Sequence, residues 1–258
     1  MTVPQMFNPL HHPIFMLVGS VALFWLGARI GTTFHSRYGK FDESTLEDFK
    51  LVLGATLTLL GLIIGFTFSM AVSRYDQRKN LEEEEANAIG TEYVRAEFFP
   101  AASAARVRAL LKSYIDQRIL FYTTPEGHLL EQIDAQTSRL QKEMWSATVG
   151  PTSENPTPMA ALVVQGMNDV LNSQGYTQAA WWNRIPVAAW ILLITIGVLC
   201  NVLIGYLAHD RRAFPFWILP IFLAISLFLI ADIDSPGRGV ILVNPQNLES
   251  LANSLRIN

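Results

Sequence analysis

From Leu51 to Val72 the chain reads LVLGATLTLLGLIIGFTFSMAV, with no charged side chain. About 20 apolar residues is the length of helix that crosses a bilayer's hydrocarbon layer, where every backbone polar group has to be satisfied internally. The stretch therefore predicts a membrane helix, and the rest of the chain has to be arranged around it. One side of that helix is small and weakly polar, because Gly54, Thr58, Gly61, Gly65 and Ser69 recur at three- and four-residue steps. Gly61 and Gly65 make a GxxxG, a spacing that lets helix backbones approach closely. Gly54, Gly61, Gly65 and Ser69 are thus candidate packing residues, while Thr58, Leu62 and Phe66 form an i, i+4 row beside them.

Composition places the whole chain in the same class. Hydrophobic residues make up 50% and charged residues 16% of the 258, more apolar and less charged than an ordinary soluble domain. The one cysteine, Cys200, excludes a disulfide framework or a cysteine-based zinc site within one chain. A formal charge of −3 argues against a nucleic-acid partner, since no basic patch is available to neutralise phosphates.

Three further apolar runs predict three further spans. The first opens at Pro13 and runs to Phe34; Met1 to His12 lacks the basic residues of a secretory signal, so this run is expected to be a membrane helix and not a leader. Arg29 near its end either snorkels to the headgroups or lines a water path. His11, His12 and His35 flank the span without carboxylates that would make them metal ligands. Between the first two spans, Ser44 with Glu47 three residues on predicts a capping box. Trp181, Trp182 and Arg184 predict a membrane interface. Pro186 to about Ala208 is the third span, in which Asn201 is either interhelical glue or a pore group. The turn His209-Asp210-Arg211-Arg212 joins it to the fourth, Phe214 to about Ile233, which Pro220 is expected to kink.

Residues 73–184 separate the second and third spans and carry 11 basic against 14 acidic side chains, an imbalance equal to the whole formal charge. The segment is expected to be a water-exposed helical domain, which divides the chain into 1–72, 73–184, 185–234 and a C-terminal tail, 235–258. Its first helix continues the second span toward Phe99 with a break near Gly90 or Pro100. Glu82, Glu83, Glu84 and Glu85 read either as a solvated helix face or, in a ring of subunits, as charges that bias which ions arrive. Ala101 to Tyr122 carries an apolar stripe of Val107, Leu110, Leu111, Tyr114, Ile115 and Ile119. Leu129 to Thr148 predicts a third helix, Val149 to Pro158 a loop from its Pro, Ser and Thr content, and Met159 to Ser173 a fourth helix stopped by Gly175. No phosphate loop, metal-binding spacing or catalytic set of side chains occurs in the region, so neither cofactor nor metal is expected.

Two motifs add a family. Gly65-Phe66, followed by Ala71 and by Arg74-Tyr75, resembles the second membrane helix of bestrophins, where Gly-Phe is followed at that spacing by Arg-Trp. Near the C-terminus, Asp232-Ile233-Asp234-Ser235-Pro236-Gly237 is similar to the acidic turn after their last membrane helix. The stretch Glu84 to Pro100 looks like the bacterial bestrophin-like proteins of unknown function. The resemblance implies an all-α membrane protein of four transmembrane helices, with a helical cytoplasmic domain inserted between the second and third. It further implies a homo-oligomer, by family a pentamer, in a bacterial inner membrane with both termini cytoplasmic. Lys and Arg counts on the two sides of the membrane cancel and give no orientation of their own.

By the same resemblance Phe66, Leu62 and Thr58 fall on the inner, middle and outer positions of a hydrophobic pore neck. Thr58 is polar where the family is usually apolar. Arg74 and Tyr75 fall where the pore helix leaves the membrane. The acids that make the calcium clasp of animal bestrophins are missing after Gly237, so calcium gating is not expected. The expected function is a channel for small monovalent ions, chloride-like anions by family precedent although the acidic domain leans to cations, whose partners are other copies of itself, lipid and the ions. The alternative is a non-conducting oligomeric scaffold whose helical domain docks a partner; an enzyme ranks third.

Overall fold

The computed structural model describes residues 13–38, 42–125, 127–208, 215–237 and 239–257. His11, His12, Lys40, the 209–212 turn, Phe214 and Arg238 lie outside the described residues. Every described element is helical: α1 Pro13–Tyr38, α2 Glu43–Arg95, a 3-10 turn Ala96–Phe98, α3 Ala101–Thr123, α4 His128–Glu154, α5 Pro158–Trp182, α6 Val187–Leu207, α7 Pro215–Asp234 and α8 Gln246–Ile257. Four of these stretches, containing α1, α2, α6 and α7, are long and apolar enough to cross a membrane.

The chain forms two compact units, one of residues 1–73 and 184–241 and the other of 74–183 and 242–258. In the first, α1 packs on α6 and α7. Glycine sets the α1–α6 distance. A Cβ on Gly31 would lie 1.9 Å from the Val202 carbonyl oxygen, and one on Gly205 would lie 1.9 Å from that of Ala28. Gly27-x-x-x-Gly31 is the GxxxG that meets a neighbour inside the chain, opposite Gly197, Asn201 and Gly205 at four-residue steps on α6. The Asn201 amide, fully buried, donates to the Gly197 carbonyl of its own helix at 2.7 Å. Arg29 lays its guanidinium over the Trp25 ring, 4.8 Å from the centroid.

The start of α2 corrects the capping expectation. The helix begins at Glu43, with Leu46 N–H donating to the Asp42 carbonyl, and the Ser44 and Thr45 hydroxyls both donate to the Asp42 carboxylate. Ser44 is therefore spent on the residue before the helix, and Asp42 terminates the backbone ladder.

The second unit is a helical bundle with one apolar core. The α3 stripe supplies it: Val107, Leu111, Tyr114 and Ile115 are fully buried, and Leu110 and Ile119 pack against them. Two boundaries differ from the sequence reading. Helix α4 runs through Pro151 to Glu154, where the Thr152 and Ser153 hydroxyls donate back to the Thr148 and Val149 carbonyls, each at 2.9 Å. Pro and hydroxyl residues suggested a loop, but one missing N–H in a last turn is tolerated when the preceding turn is buried. Helix α5 is capped by Thr157, whose side chain accepts from Ala160 N–H, and continues past Gly175. The reason is burial of Ser173, Thr177, Ala180 and Trp181 on one face. Trp181 is thus a core residue and not an interfacial one, with its ring 4.7 Å from that of Phe121 and 5.7 Å from that of Tyr122. Trp182 beside it is exposed.

Residues beyond Leu242 are not a tail. Helix α8 buries Leu248, Ala252 and Leu255 at i, i+4, i+7 in the core of the second unit and packs on α3.

Candidate functional site

Within the first unit, the α2 stretch between Gly54 and Ala71 has two opposite faces. At 100° per residue, Leu60, Thr67 and Ala71 lie on one side, and all three are buried. Gly54, Thr58, Leu62, Gly65, Phe66 and Ser69 lie about 120° to 180° from Leu60 and Gly61 about 100° from it, and all are exposed. Phe66 leaves 66% and Leu62 55% of its surface uncovered. A Cβ on Gly54, Gly61 or Gly65 would meet nothing within 4 Å. Among the described residues, no part of the chain packs against these glycines. The Thr58 hydroxyl donates to the Gly54 carbonyl at 2.9 Å, so the polar member of the row turns its hydrogen back into the helix.

In the second unit the same helix reverses its polarity. Arg78, Glu82, Glu85, Ile89, Glu92 and Ala96 follow at four-, three-, four-, three- and four-residue steps, one stripe, and each is at most 1% exposed. A buried charge persists only with partners, and three of these have them. Arg78 Nε donates to the Ala180 carbonyl and its Nη2 to that of Asn183, both at 3.1 Å, at the C-terminal end of α5 where a cation offsets the helix dipole. Glu82 accepts the N–H groups of Asn247 and Leu248 at 3.0 and 2.9 Å and the Asn247 amide at 2.7 Å, which caps the N-terminus of α8. Glu85 pairs with Arg118 of α3 and accepts from Tyr122 Oη and Thr177 Oγ1 at 3.4 and 3.3 Å.

Around this pair, burial first and then the Glu85 charge push the Tyr114 and Tyr122 hydroxyls well above the usual phenol range. Burial opposes the Arg118 charge, but Glu85 outweighs it and holds the guanidinium protonated. The Arg118 guanidinium also stacks on Phe121, 4.4 Å from its centroid.

This corrects the expectation for Glu82 and Glu85. Of Glu82, Glu83, Glu84 and Glu85, only Glu83 and Glu84 face solvent. The outer two are a helix cap and half of a buried ion pair, because a heptad stripe on a bundle helix selects positions three apart within four consecutive residues. Tyr75 packs against the core of the second unit, and Arg74 is half-buried.

The acidic turn also has a defined job. Asp232 accepts the Val240 and Ile241 N–H groups at 2.8 Å each, and Asp234 accepts that of Ile185 at 3.2 and 3.0 Å. Pro236 and Gly237 form the turn that follows α7. Gly239 sits at φ +153, and a Cβ there would fall 2.5 Å from Asp232 Oδ1. Both carboxylates hold backbone, which closes the exit of α7.

Sequence reasoning missed Arg118, the role of Arg78 and that of residues 246–248. The seven-residue recurrence of charge from Arg78 through Glu85 to Glu92 was the available signal.

The comparisons with known proteins agree with this architecture. No curated protein sequence matches the chain. Among solved structures it is similar to a bacterial bestrophin homologue from Klebsiella pneumoniae, at 16% identity and a TM-score of 0.63, over 94% of this chain and 95% of that one. Variants of that homologue give the same result: one with tryptophan changed to alanine at 14% identity and TM-score 0.62, over 93% and 94% of the two chains, and one with isoleucine changed to threonine at 16% and 0.61, over 95% and 98%. Identities this low speak for the fold. The bestrophin-like domain model matches residues 16–248, nearly the full length. With four membrane-length helices and a bundle fold shared over both chains, the protein belongs to the bestrophin-like family.

Proposed function

We propose that this protein is a bestrophin-like ion channel in which α2, repeated around the axis of a homo-oligomer, lines a hydrophobic neck at Thr58, Leu62 and Phe66. The observation that carries the reading is the exposed Leu62 and Phe66 on the face of α2 opposite its buried side. Four spans are too few to enclose a water path, so a pore needs several copies of one helix, and closed rotational symmetry supplies them. Five copies follow from the resemblance to bestrophins, as do a bacterial inner membrane and a cytoplasmic 73–184 domain. Gly54, Gly61, Gly65 and Ser69 then let neighbouring copies of α2 approach. A constriction of apolar side chains gates by dewetting.

The cargo is a small monovalent ion, with a chloride-like anion favoured. Half of the acidic run is committed to structure, which leaves Glu83 and Glu84 as the charges free to act on ions in that run. Planar-bilayer current from the reconstituted protein under a potassium chloride gradient tests the reading, and the sign of the reversal potential identifies the ion. A reproducible conductance that rises in Phe66→Ala is expected. Silence of both wild type and Phe66→Ala would replace the channel by a scaffold whose helical domain docks a partner.

A further inference from the structure

The buried stripe of α2 holds one charge-bearing residue without a partner. Glu92 follows Glu85 by two turns and is fully inaccessible, yet among the described residues neither of its carboxylate oxygens has a hydrogen-bond donor. Glu82 and Glu85, on the same stripe, accept three hydrogen bonds or more each. Packing explains the difference. Gly166 of α5 lies so close that a Cβ there would fall 2.0 Å from Glu92 Oε2 and 2.7 Å from Arg95 Nη1. The seam is shaped around the carboxyl, and the group facing it has no side chain to donate. The charged groups toward it are Arg95 on its own helix, which favours the anion, and Asp169 on α5, which opposes it. Arg108 of α3 is turned away, to the Tyr93 carbonyl and Glu97.

An ionised carboxylate in such a site lacks every donor that makes burial of charge tolerable, whereas a neutral carboxylic acid fits it. We propose that Glu92 is a proton-binding site of the helical unit, occupied by a proton when α2 and α5 are closed on each other, and that release of this proton loosens the seam at Gly166. Burial is the main cause of the raised affinity, with Asp169 adding to it against Arg95, and together they push the carboxyl to about 8 from an ordinary 4.5. The sign follows. Between 4.5 and about 8 the folded chain holds a proton that the unfolded chain has lost, so stability falls as pH rises through that window and levels off above it.

Infrared difference spectra of the purified full-length protein, titrated through this range, test the site directly. A protonated-carboxyl band that disappears with a midpoint near 8 and is absent from Glu92→Gln is expected. The band should survive Asp134→Asn, which removes a second carboxyl raised by burial, and Asp169→Asn should move its midpoint to lower pH. If Glu92→Gln does not fold, these two variants carry the assignment. Hydrogen exchange of residues 158–170, compared with Glu92→Gln at matched pH, should rise in the wild type only above the midpoint. No band at neutral pH, a band unchanged in Glu92→Gln, a midpoint unmoved by Asp169→Asn, or an exchange difference that is the same on both sides of the midpoint would overturn the proposal.

Discussion

Between Gly54 and Ser69, α2 turns Leu62 and Phe66 outward, while between Arg78 and Ala96 it buries one arginine and three glutamates. The ordinary rule of apolar inside and charged outside is inverted in both stretches, for two different reasons. In the first unit the surroundings are expected to be lipid or another copy of the same helix, so a side chain need not be polar to stay uncovered. In the second unit the bundle helices end against α2, and their unpaired backbone groups require charged caps. Arg78 serves the C-terminus of α5, and Glu82 serves the N-terminus of α8. Exposure alone does not separate function from structure here: the uncovered residues are apolar, and the conspicuous glutamates are partly structural.

The sharpest way to break this contrast is Arg118→Ala. It strands Glu85 as an uncompensated buried anion and should cost about 3–5 kcal/mol, read as a fall in the thermal midpoint in detergent. Replacing Glu85 and Arg118 together by leucine and methionine should cost much less, because the penalty belongs to the orphaned charge. Next come the two classes of glycine. Gly205→Ala drives a Cβ into the Ala28 carbonyl and should lose about 1–3 kcal/mol, whereas Gly61→Ala meets open space and should leave the chain's own unfolding unchanged or slightly improved. If Gly61→Ala weakens association between copies, measured by native mass spectrometry, the packing role of that face between copies is established. Glu82→Ala removes the α8 cap and should cost about 1–2 kcal/mol, seen as faster hydrogen exchange in residues 246–257. Phe66→Ala should move stability by no more than about 0.5 kcal/mol while raising conductance. A large stability loss there would mean that Phe66 serves packing and not a neck.

The four membrane-length helices were legible because each is a long apolar run whose meaning does not depend on a partner. The α3 stripe was legible because it repeats at the helical period. Beyond that, the sequence misled where long-range contacts decide. Glu82 looks like Glu83 until Asn247 is beside it, and Trp181 looks interfacial until Phe121 and Tyr122 close around it. Gly61 and Gly65 drew the packing reading, but Gly27 and Gly31, an equal GxxxG, make the close approach inside the chain. Which of two identical spacings meets a neighbour is a property of the fold. The candidate neck was named from a family motif and not from local chemistry, since an i, i+4 row of Thr, Leu and Phe has no distinctive chemistry of its own.

The capping of α8 by Glu82 also sets a schedule for biosynthesis. Glu82 leaves the ribosome 165 residues ahead of its partner Asn247, a delay of roughly 10 to 30 s at ordinary translation rates. Throughout that interval the helical unit lacks its last helix, and Glu82 has no backbone N–H groups to receive its charge. Residues 246–257 therefore decide whether the part of the helical unit made before them can finish folding. A chain that stops short of Gln246 would leave the quality-control proteases an open seam to recognise.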